Sequence, residues 1–406
     1  MYTTHCYVTI ETRFQRPSLA VTTHCGFARV KMGCGSSKTT VAPRVVVVGA
    51  GYAGLKLASL LEKENFCTVT LIDEREVLVH ELAALRVCVE PESLPILFVP
   101  IADVTRNFIQ GKVTSLNRTK NQIILENGNK IKFDYLILAM GTTGTFPGKL
   151  PAVSAAQGTK MYQDICFAIR KSHRVMIIHG GWIGVTLAGE IKTDYPDKQV
   201  IIVHQEANLV SDKLPAEVQK DLQRILYKKD IEVYTNTSII GVDDINLNQH
   251  EKNQKVKTDS GKEFEVDLIV RCTEERNSSS FKTILSESMN LNGSLKVDPS
   301  LKVVGCDNIY AIGDVNDVGE QTIDGRFNQA AYMVEHLKAV LSSSDVVAYK
   351  QDPFSMLVPI GRYSGCGVHH GNQVDEDGVM ELLSTNLMTK QIWEGLGLVC
   401  PLPSFT

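Results

Sequence analysis

Short runs of aliphatic and β-branched residues recur along the chain, each followed by a glycine or a polar turn. They stand at Val45–Val48, Val69–Ile72, Tyr135–Met140, Val175–Ile178, Gln199–Val203, Leu268–Val270 and Ile309–Ile312. A short continuous apolar run is the pattern of a strand buried on both faces of a parallel sheet. Stretches of helical period such as Leu55–Lys63 and Pro215–Lys229 lie between several of these runs, and alternating strand and helix predicts an α/β fold. Gly111–Asn117, Asn121–Glu126 and Lys130–Phe133 interrupt the alternation as three shorter strands around polar turns. The expected architecture is α/β: two strand-and-helix halves plus a smaller α+β C-terminal region.

The turn after the first run carries the sharpest chemistry. Val45–Val48 runs directly into Gly49-Ala50-Gly51-Tyr52-Ala53-Gly54 and then a helix. In a G-x-G-x-x-G turn the first glycine allows the tight bend, the second lets a pyrophosphate approach the backbone, and the third lets helix pack on strand. The helix N-terminus presents free amides and partial positive charge to that pyrophosphate. The next strand ends in Asp73, about 20 residues on, where a carboxylate binds the ribose of an adenosine. Tyr135–Met140 then closes the first half on Gly141.

A second half repeats the plan with altered residues, so that two Rossmann-like dinucleotide-binding domains are expected. Val175–Ile178 leads into His179-Gly180-Gly181-Trp182-Ile183-Gly184, and Gln199–Val203 ends at His204-Gln205-Glu206. Gly181 and Gly184 fill the second and third glycine positions, while His179 stands at the first, where the backbone favours glycine. Gly180 is expected to take up part of that strain. An acid after the second strand favours NAD and a basic residue NADP; His204 is neither and Glu206 comes late, so both nucleotides stay open. The last strong feature is Asn308-Ile309-Tyr310-Ala311-Ile312-Gly313-Asp314, a buried strand that delivers Gly313 and Asp314 to a turn. There the carboxylate can hydrogen-bond a ribityl hydroxyl, or merely cap the turn.

Composition narrows the field. A 406-residue chain with 43% hydrophobic residues can bury more than one core. A net charge of −4 gives no reason to expect a nucleic-acid partner, and no apolar run approaches the roughly 18 residues of a membrane-spanning helix. The 10 cysteines include no C-x-x-C or zinc-like spacing, which argues against a dithiol relay and against metal ligation. Residues 1–31 read as an extension, and Met32-Gly33-Cys34-Gly35-Ser36-Ser37-Lys38 fits the myristoylation signal M-G-x-x-x-[ST]. If translation starts at Met32, Gly33 and Cys34 supply the two lipid signals that stable anchoring needs.

With these blocks in this order, the chain resembles the two-dinucleotide-binding flavoprotein oxidoreductases, and within them the apoptosis-inducing-factor-like branch. Gly49–Gly54, Ala83-Ala84-Leu85-Arg86, Phe146-Pro147-Gly148-Lys149, Glu190-Ile191-Lys192-Thr193-Asp194-Tyr195-Pro196 and Tyr310-Ala311-Ile312-Gly313-Asp314 carry the likeness, from about Val45 to Asp317, and Met32-Gly33 matches that branch's myristoylated start. The resemblance implies FAD on the first half, held by Gly49, Ala50, Gly51, Tyr52, Ala53, Gly54, Asp73, Arg86, Val113, Ala139, Gly141, Gly313 and Asp314. It implies NADH or NADPH on the second, at Gly181, Gly184 and Glu206. Hydride would pass to the flavin and electrons onward to a membrane-dissolved quinone such as ubiquinone or vitamin K, protecting lipids from peroxidation. Hydride transfer needs no side-chain nucleophile or general base, so no catalytic residue is nominated.

The implied domains are a flexible segment 1–43 with its acylation motif at 32–38, an FAD-binding domain of 44–147 and 273–345, an NAD(P)H-binding domain of 148–272, and the region 346–406. The implied location is the cytoplasmic side of membranes (plasma membrane, lipid droplets, mitochondrial outer surface) through a lipid anchor if translation starts at Met32, and otherwise the cytoplasm. Departures from the branch cluster in the second half: His179 and Trp182 in the turn, Thr186 for a usual Glu, and Glu274 for a glycine, with Met140 for Thr in the first half. They leave two alternatives open, a flavin-bound interaction or signalling protein with a decayed nicotinamide site, and a soluble enzyme like type II NADH dehydrogenase.

Overall fold

In the computed structural model, β1 (Arg44–Val48) runs through the middle of the first sheet, and α1 (Tyr52–Glu64) follows it without a loop after Gly51. The structure describes residues 42–276, 281, 284–318, 322–383 and 387–401; the acylation motif with Gly33 and Cys34 lies outside them. β2 (Thr68–Asp73), α2 (Glu81–Val87), β3 (Phe108–Gln110) and β4 (Tyr135–Leu138) come next. Both β2 and β4 pair with β1 in parallel, Val45 facing Val69 on one side and Tyr135 on the other. β3 extends the sheet beyond β2. The strand order therefore reverses at β1, and the crevice at its C-terminal end is where nucleotides bind in such sheets.

The chain then enters α3 (Ala155–Lys171), started by a capping box in which Ser154 and Gln157 satisfy each other's backbone amides. A second parallel sheet follows, built from β5 (Arg174–Ile178), β6 (Gln199–Val203), β7 (Ile231–Tyr234) and β8 (Leu268–Arg271) in the order β7-β6-β5-β8. α4 (Trp182–Asp194) leaves β5 as α1 leaves β1. The chain then returns to the first sheet as β9 (Ile309–Ala311), beside β4, and α5 (Ile323–Ser342) packs Met333 and Leu337 into one core with Leu57 and Leu61 of α1. The three shorter strands form the antiparallel meander Val113–Asn117, Gln122–Leu125 and Lys130–Lys132.

After α5 the chain forms an antiparallel sheet of β10 (Met356–Pro359), β11 (Gly365–His369) and β12 (Asn372–Val374), followed by α6 (Glu376–Leu383). This sheet lies on α4. A Cβ on Gly189 would stand 2.4 Å from the backbone of Ile360, so only glycine admits the approach. The Trp182 indole donates to the Leu357 carbonyl at 2.8 Å. Arg362 grips Asp194 of α4 at 2.6 Å and also pairs with Glu90, tying the sheet to both halves of the molecule. No helix among the described residues is long and apolar enough to cross a membrane.

Candidate functional site: two dinucleotide turns facing one charged floor

The first turn has the shape its glycines dictate. Gly49 takes φ +103°, and a Cβ there would meet the Ala139 carbonyl at 2.4 Å; one on Gly54 would meet the Gly49 carbonyl at 1.9 Å. A Cβ on Gly51 would meet nothing within 4 Å: the cradle over that residue is open. At the end of β2, Asp73 accepts the Ala50 amide at 2.7 Å and the Arg75 amide at 2.9 Å, which fixes the carboxylate and leaves it lone pairs for ribose hydroxyls. A groove continues from Asp73 and Arg75 past Gly51 and Ala53, along Ala139 and Gly141, to Gly313 and Asp314. Gly313 takes φ +71° and donates its amide to Gln329 at 2.7 Å. The open cradle, the ribose-ready carboxylate and a groove that joins Asp73 to Asp314 fit FAD.

Of the expected flavin residues, Gly49, Ala50 and Gly54 shape the turn without lining the groove, and two more lie outside it. Arg86 is buried in α2 with its guanidinium on Glu190 of α4, at 3.1 Å and 3.3 Å. Val113 packs with Leu125 and Leu138 behind the first sheet. Neither lines the groove.

The floor of the groove is a charge network in which the sequence had marked Asp314, Lys149 and Glu274 singly but not their pairing. Arg326, on α5, binds the Asp314 carboxylate through Nε at 3.1 Å and Nη2 at 2.5 Å, and reaches Glu81 at 3.2 Å. Lys149 pairs with Glu81 from the other side and with Glu274 at 3.0 Å, while Thr142 also donates to Glu274. Burial alone would raise the Glu81 carboxyl, but the charges of Lys149 and Arg326 outweigh it and hold it at about 2. Burial lowers Lys149 while Glu81 and Glu274 more than compensate, so its ammonium is held above the usual range. Tyr52 completes the floor: it receives the Glu81 amide at 3.0 Å, contacts His80 Nδ1 at 2.8 Å and lies under the Arg326 guanidinium.

On the far side of this network opens a mainly apolar cavity of about 190 Å³, lined by Leu82, Ile183, Leu357, Leu382, Leu383 and Met388, with Asp324, Asp352, His369 and His370 also in its wall. Tyr52, Glu81, Lys149, Asp314 and Arg326 form a wall common to this cavity and to the groove. Trp182, Ile183, Glu274 and Met356 separate it from a third pocket, at the second turn, which His179, Gly181 and Val210 complete.

The second turn copies the first in backbone only. Gly184 packs against the His179 carbonyl as Gly54 packs against that of Gly49. His179 itself adopts φ +81°, and Gly180 has no left-handed φ. The expectation that Gly180 would absorb strain is therefore corrected: its missing Cβ faces Leu209 at 2.4 Å, which holds the residue in place. His204 occupies the position of Asp73, its Nδ1 accepting the Gly180 amide at 3.1 Å and its Nε2 donating to the Asn208 carbonyl at 3.0 Å. Glu206 is exposed beyond it. Trp182 turns toward β10, and buried Thr186 has an unpaired hydroxyl.

The described cysteines are all unpaired, and all but Cys400 are buried. Burial pushes the Cys272 and Cys366 thiols up to about 12, so neither is poised for thiolate chemistry. Among the described residues no cluster of side chains could hold a metal ion.

Two paired sheets, two dinucleotide turns and a shared floor define a flavoprotein oxidoreductase with a pyridine-nucleotide half. The chain belongs to the pyridine nucleotide-disulphide oxidoreductase family, whose profile matches residues 43–336, and FAD and NAD(P)H are that family's cofactors. It is 32% identical over 367 residues to ferroptosis suppressor protein 1 of Mus musculus, covering 89% of this chain and 98% of the relative. Apoptosis-inducing factor homolog A of Dictyostelium discoideum is 33% identical over 296 residues, 68% of this chain and 72% of the relative. Among solved structures, the sulfide:quinone oxidoreductase of Aquifex aeolicus superposes with a TM-score of 0.67 at 16% identity, covering 90% of this chain and 94% of that one, a likeness of fold.

Proposed function

We propose that this oxidoreductase is an FAD-dependent NAD(P)H:quinone reductase that works at membrane surfaces and regenerates quinols that halt lipid peroxidation. Residues 44–147 and 273–345 would form the FAD-binding domain, 148–272 the NAD(P)H-binding domain, and 346–406 a region covering the acceptor cavity. The observation that carries the reading is the apolar cavity sharing its floor with the flavin groove. Bound in the groove, FAD would take a hydride from NAD(P)H and, with one proton from solvent, pass both electrons to a quinone, giving NAD(P)+ and quinol. The protein's part is placement and electrostatics. Asp73 and the Gly49–Gly54 turn would hold the adenosine and diphosphate, and Asp314, steered by Arg326, the ribityl chain. Lys149 and Arg326, paired with Glu81, Glu274 and Asp314, would set a fixed network of charges beside the flavin. Gly33 and Cys34 would carry the lipids that bring the cavity to a bilayer-dissolved acceptor.

Rapid anaerobic mixing with NADH, following the flavin band near ~450 nm, tests the first half-reaction. A short-chain ubiquinone added next should restore the band, and Leu382→Lys, at the half-buried cavity wall, should slow only that second phase. Bleaching by NADH followed by no faster recovery with quinone than without it overturns the quinone reading. The second reading, a flavin-holding protein with a decayed nicotinamide site, draws on His179 and His204 in place of Gly and acid. A flavin that stays oxidised with both NADH and NADPH would establish it, and a strong gain in turnover from His179→Gly with Thr186→Glu would show what had decayed.

A further inference from the structure

The two turns differ most at the spot where a diphosphate has to sit. In the first, the Cβ position of Gly51 faces empty space. In the second, the equivalent Cβ position of Gly181 is 3.1 Å from both Cδ2 and Nε2 of His179. The imidazole therefore lies across the Gly181 backbone, in the space that the first turn leaves open. The left-handed backbone at φ +81° swings the ring there, and the His204 ring supports it edge-on at a centroid distance of 4.8 Å. Among the described residues no hydrogen bond fixes the His179 ring, so it can turn about its side-chain bonds. His204 cannot substitute as a ligand, because both of its nitrogens are already engaged by Gly180 and Asn208.

We propose that His179 sets the affinity of the second half for dinucleotides: its ring occupies the diphosphate seat, and a nucleoside diphosphate ligand binds only after the ring has turned out. The inference rests on the reading that reduced nicotinamide dinucleotide uses this half. A binding-competent state populated only a fraction of the time weakens apparent affinity by that fraction. A ring seated about nine-tenths of the time thus costs roughly tenfold in dissociation constant. The effect is confined to ligands that carry the diphosphate. A donor such as dihydronicotinamide riboside, which offers the same hydride and no phosphate, never displaces the ring.

The test uses the FAD-loaded full chain and its His179→Gly and His179→Asn variants. Binding of ADP-ribose is followed by calorimetry, and flavin reduction by NADH and by dihydronicotinamide riboside under anaerobic conditions. The expected result is ADP-ribose bound about tenfold tighter by His179→Gly and less so by His179→Asn, with KM for NADH lowered in step and reduction by dihydronicotinamide riboside unchanged. ADP-ribose binding that is unchanged or weaker in His179→Gly overturns the inference alone. So does an equal gain with dihydronicotinamide riboside, which would mark a general loosening of the fold. Failure of every form to bind ADP-ribose or be reduced by NADH, with the FAD spectrum intact, overturns the nicotinamide reading itself and the inference with it.

Discussion

His80 is an imidazole that the fold requires to be neutral. It is fully buried, with Nε2 on the Leu387 carbonyl at 3.1 Å and Nδ1 on the Tyr52 hydroxyl at 2.8 Å. A carbonyl only accepts, so the proton sits on Nε2 and Tyr52 donates to Nδ1. Burial lowers the pKa of this ring to about 4 from an ordinary 6.5. The unfolded chain therefore binds one more proton than the folded chain between those values. The stability that His80 contributes is complete above pH ~6.5 and is lost toward pH ~4, at up to about 1.4 kcal/mol per pH unit. Glu81 acts in a lower window, its contribution complete above pH ~4.5 and lost as pH falls toward ~2. Urea unfolding from pH 7 to 4.5 should show stability falling with acid, with a shallower slope in His80→Gln; equal slopes would mean that His80 is not the group responsible. Gly54 is held as closely. Because a Cβ there would stand 1.9 Å from the Gly49 carbonyl, Gly54→Ala must push α1 off β1, at a cost of about 1–3 kcal/mol. The purified variant should carry little FAD by absorbance.

Elements were legible in the sequence where their chemistry is local. β1, β2, β5 and β6 announce themselves as apolar runs ending at turn residues, and the left-handed conformation of His179 follows from the glycine whose place it takes. β10 and β11 were illegible because their sequences argue against strand. One ends in Pro359, and the other holds Gly365 and Gly367, residues that weaken strands. Contact across the ladder explains the glycines: Cβ atoms there would lie 2.7 Å from the Val358 carbonyl and 2.3 Å from that of Met356. The floor was hidden for another reason. Glu81, Lys149, Glu274, Asp314 and Arg326 come from five separate stretches, and no spacing rule pairs them. Charge also holds the C-terminal sheet. Arg362 joins it to Asp194 and Glu90 through partly exposed ion pairs, so Arg362→Ala should cost only about 1 kcal/mol globally. The loss should be concentrated in β10 and β11, read as faster hydrogen exchange at Val358, Cys366 and Val368 with β1 and β5 unchanged. Uniform acceleration would show instead that the sheet unfolds with the whole.

At the scale of the whole molecule, hydride transfer demands that the two nucleotide halves keep a fixed separation, because a misplacement of about 1 Å can cost 10²-fold in rate. The described link best placed to fix it is the buried pair of Arg86 on α2 and Glu190 on α4. Glu190 is only 1% exposed, so Arg86→Met would strand a carboxylate with neither water nor its guanidinium, at about 3–5 kcal/mol. Glu190→Leu would take away the carboxylate that the buried guanidinium faces and should also destabilise the fold. The double variant Arg86→Met/Glu190→Leu replaces both charges by apolar groups of similar size and should recover most of the stability, since buried pairs are often matched by well-packed hydrophobic ones. Urea unfolding of the four proteins measures this coupling. Flavin occupancy in the same four separates the pair's role from the flavin contact that the family resemblance implied for Arg86. A joint between halves predicts that FAD follows stability, reduced in either single variant and restored in the double. A direct flavin contact predicts that FAD is lost wherever Arg86 is missing, the double variant included, and kept in Glu190→Leu. The placement of the guanidinium on Glu190, away from the groove, favours the first outcome.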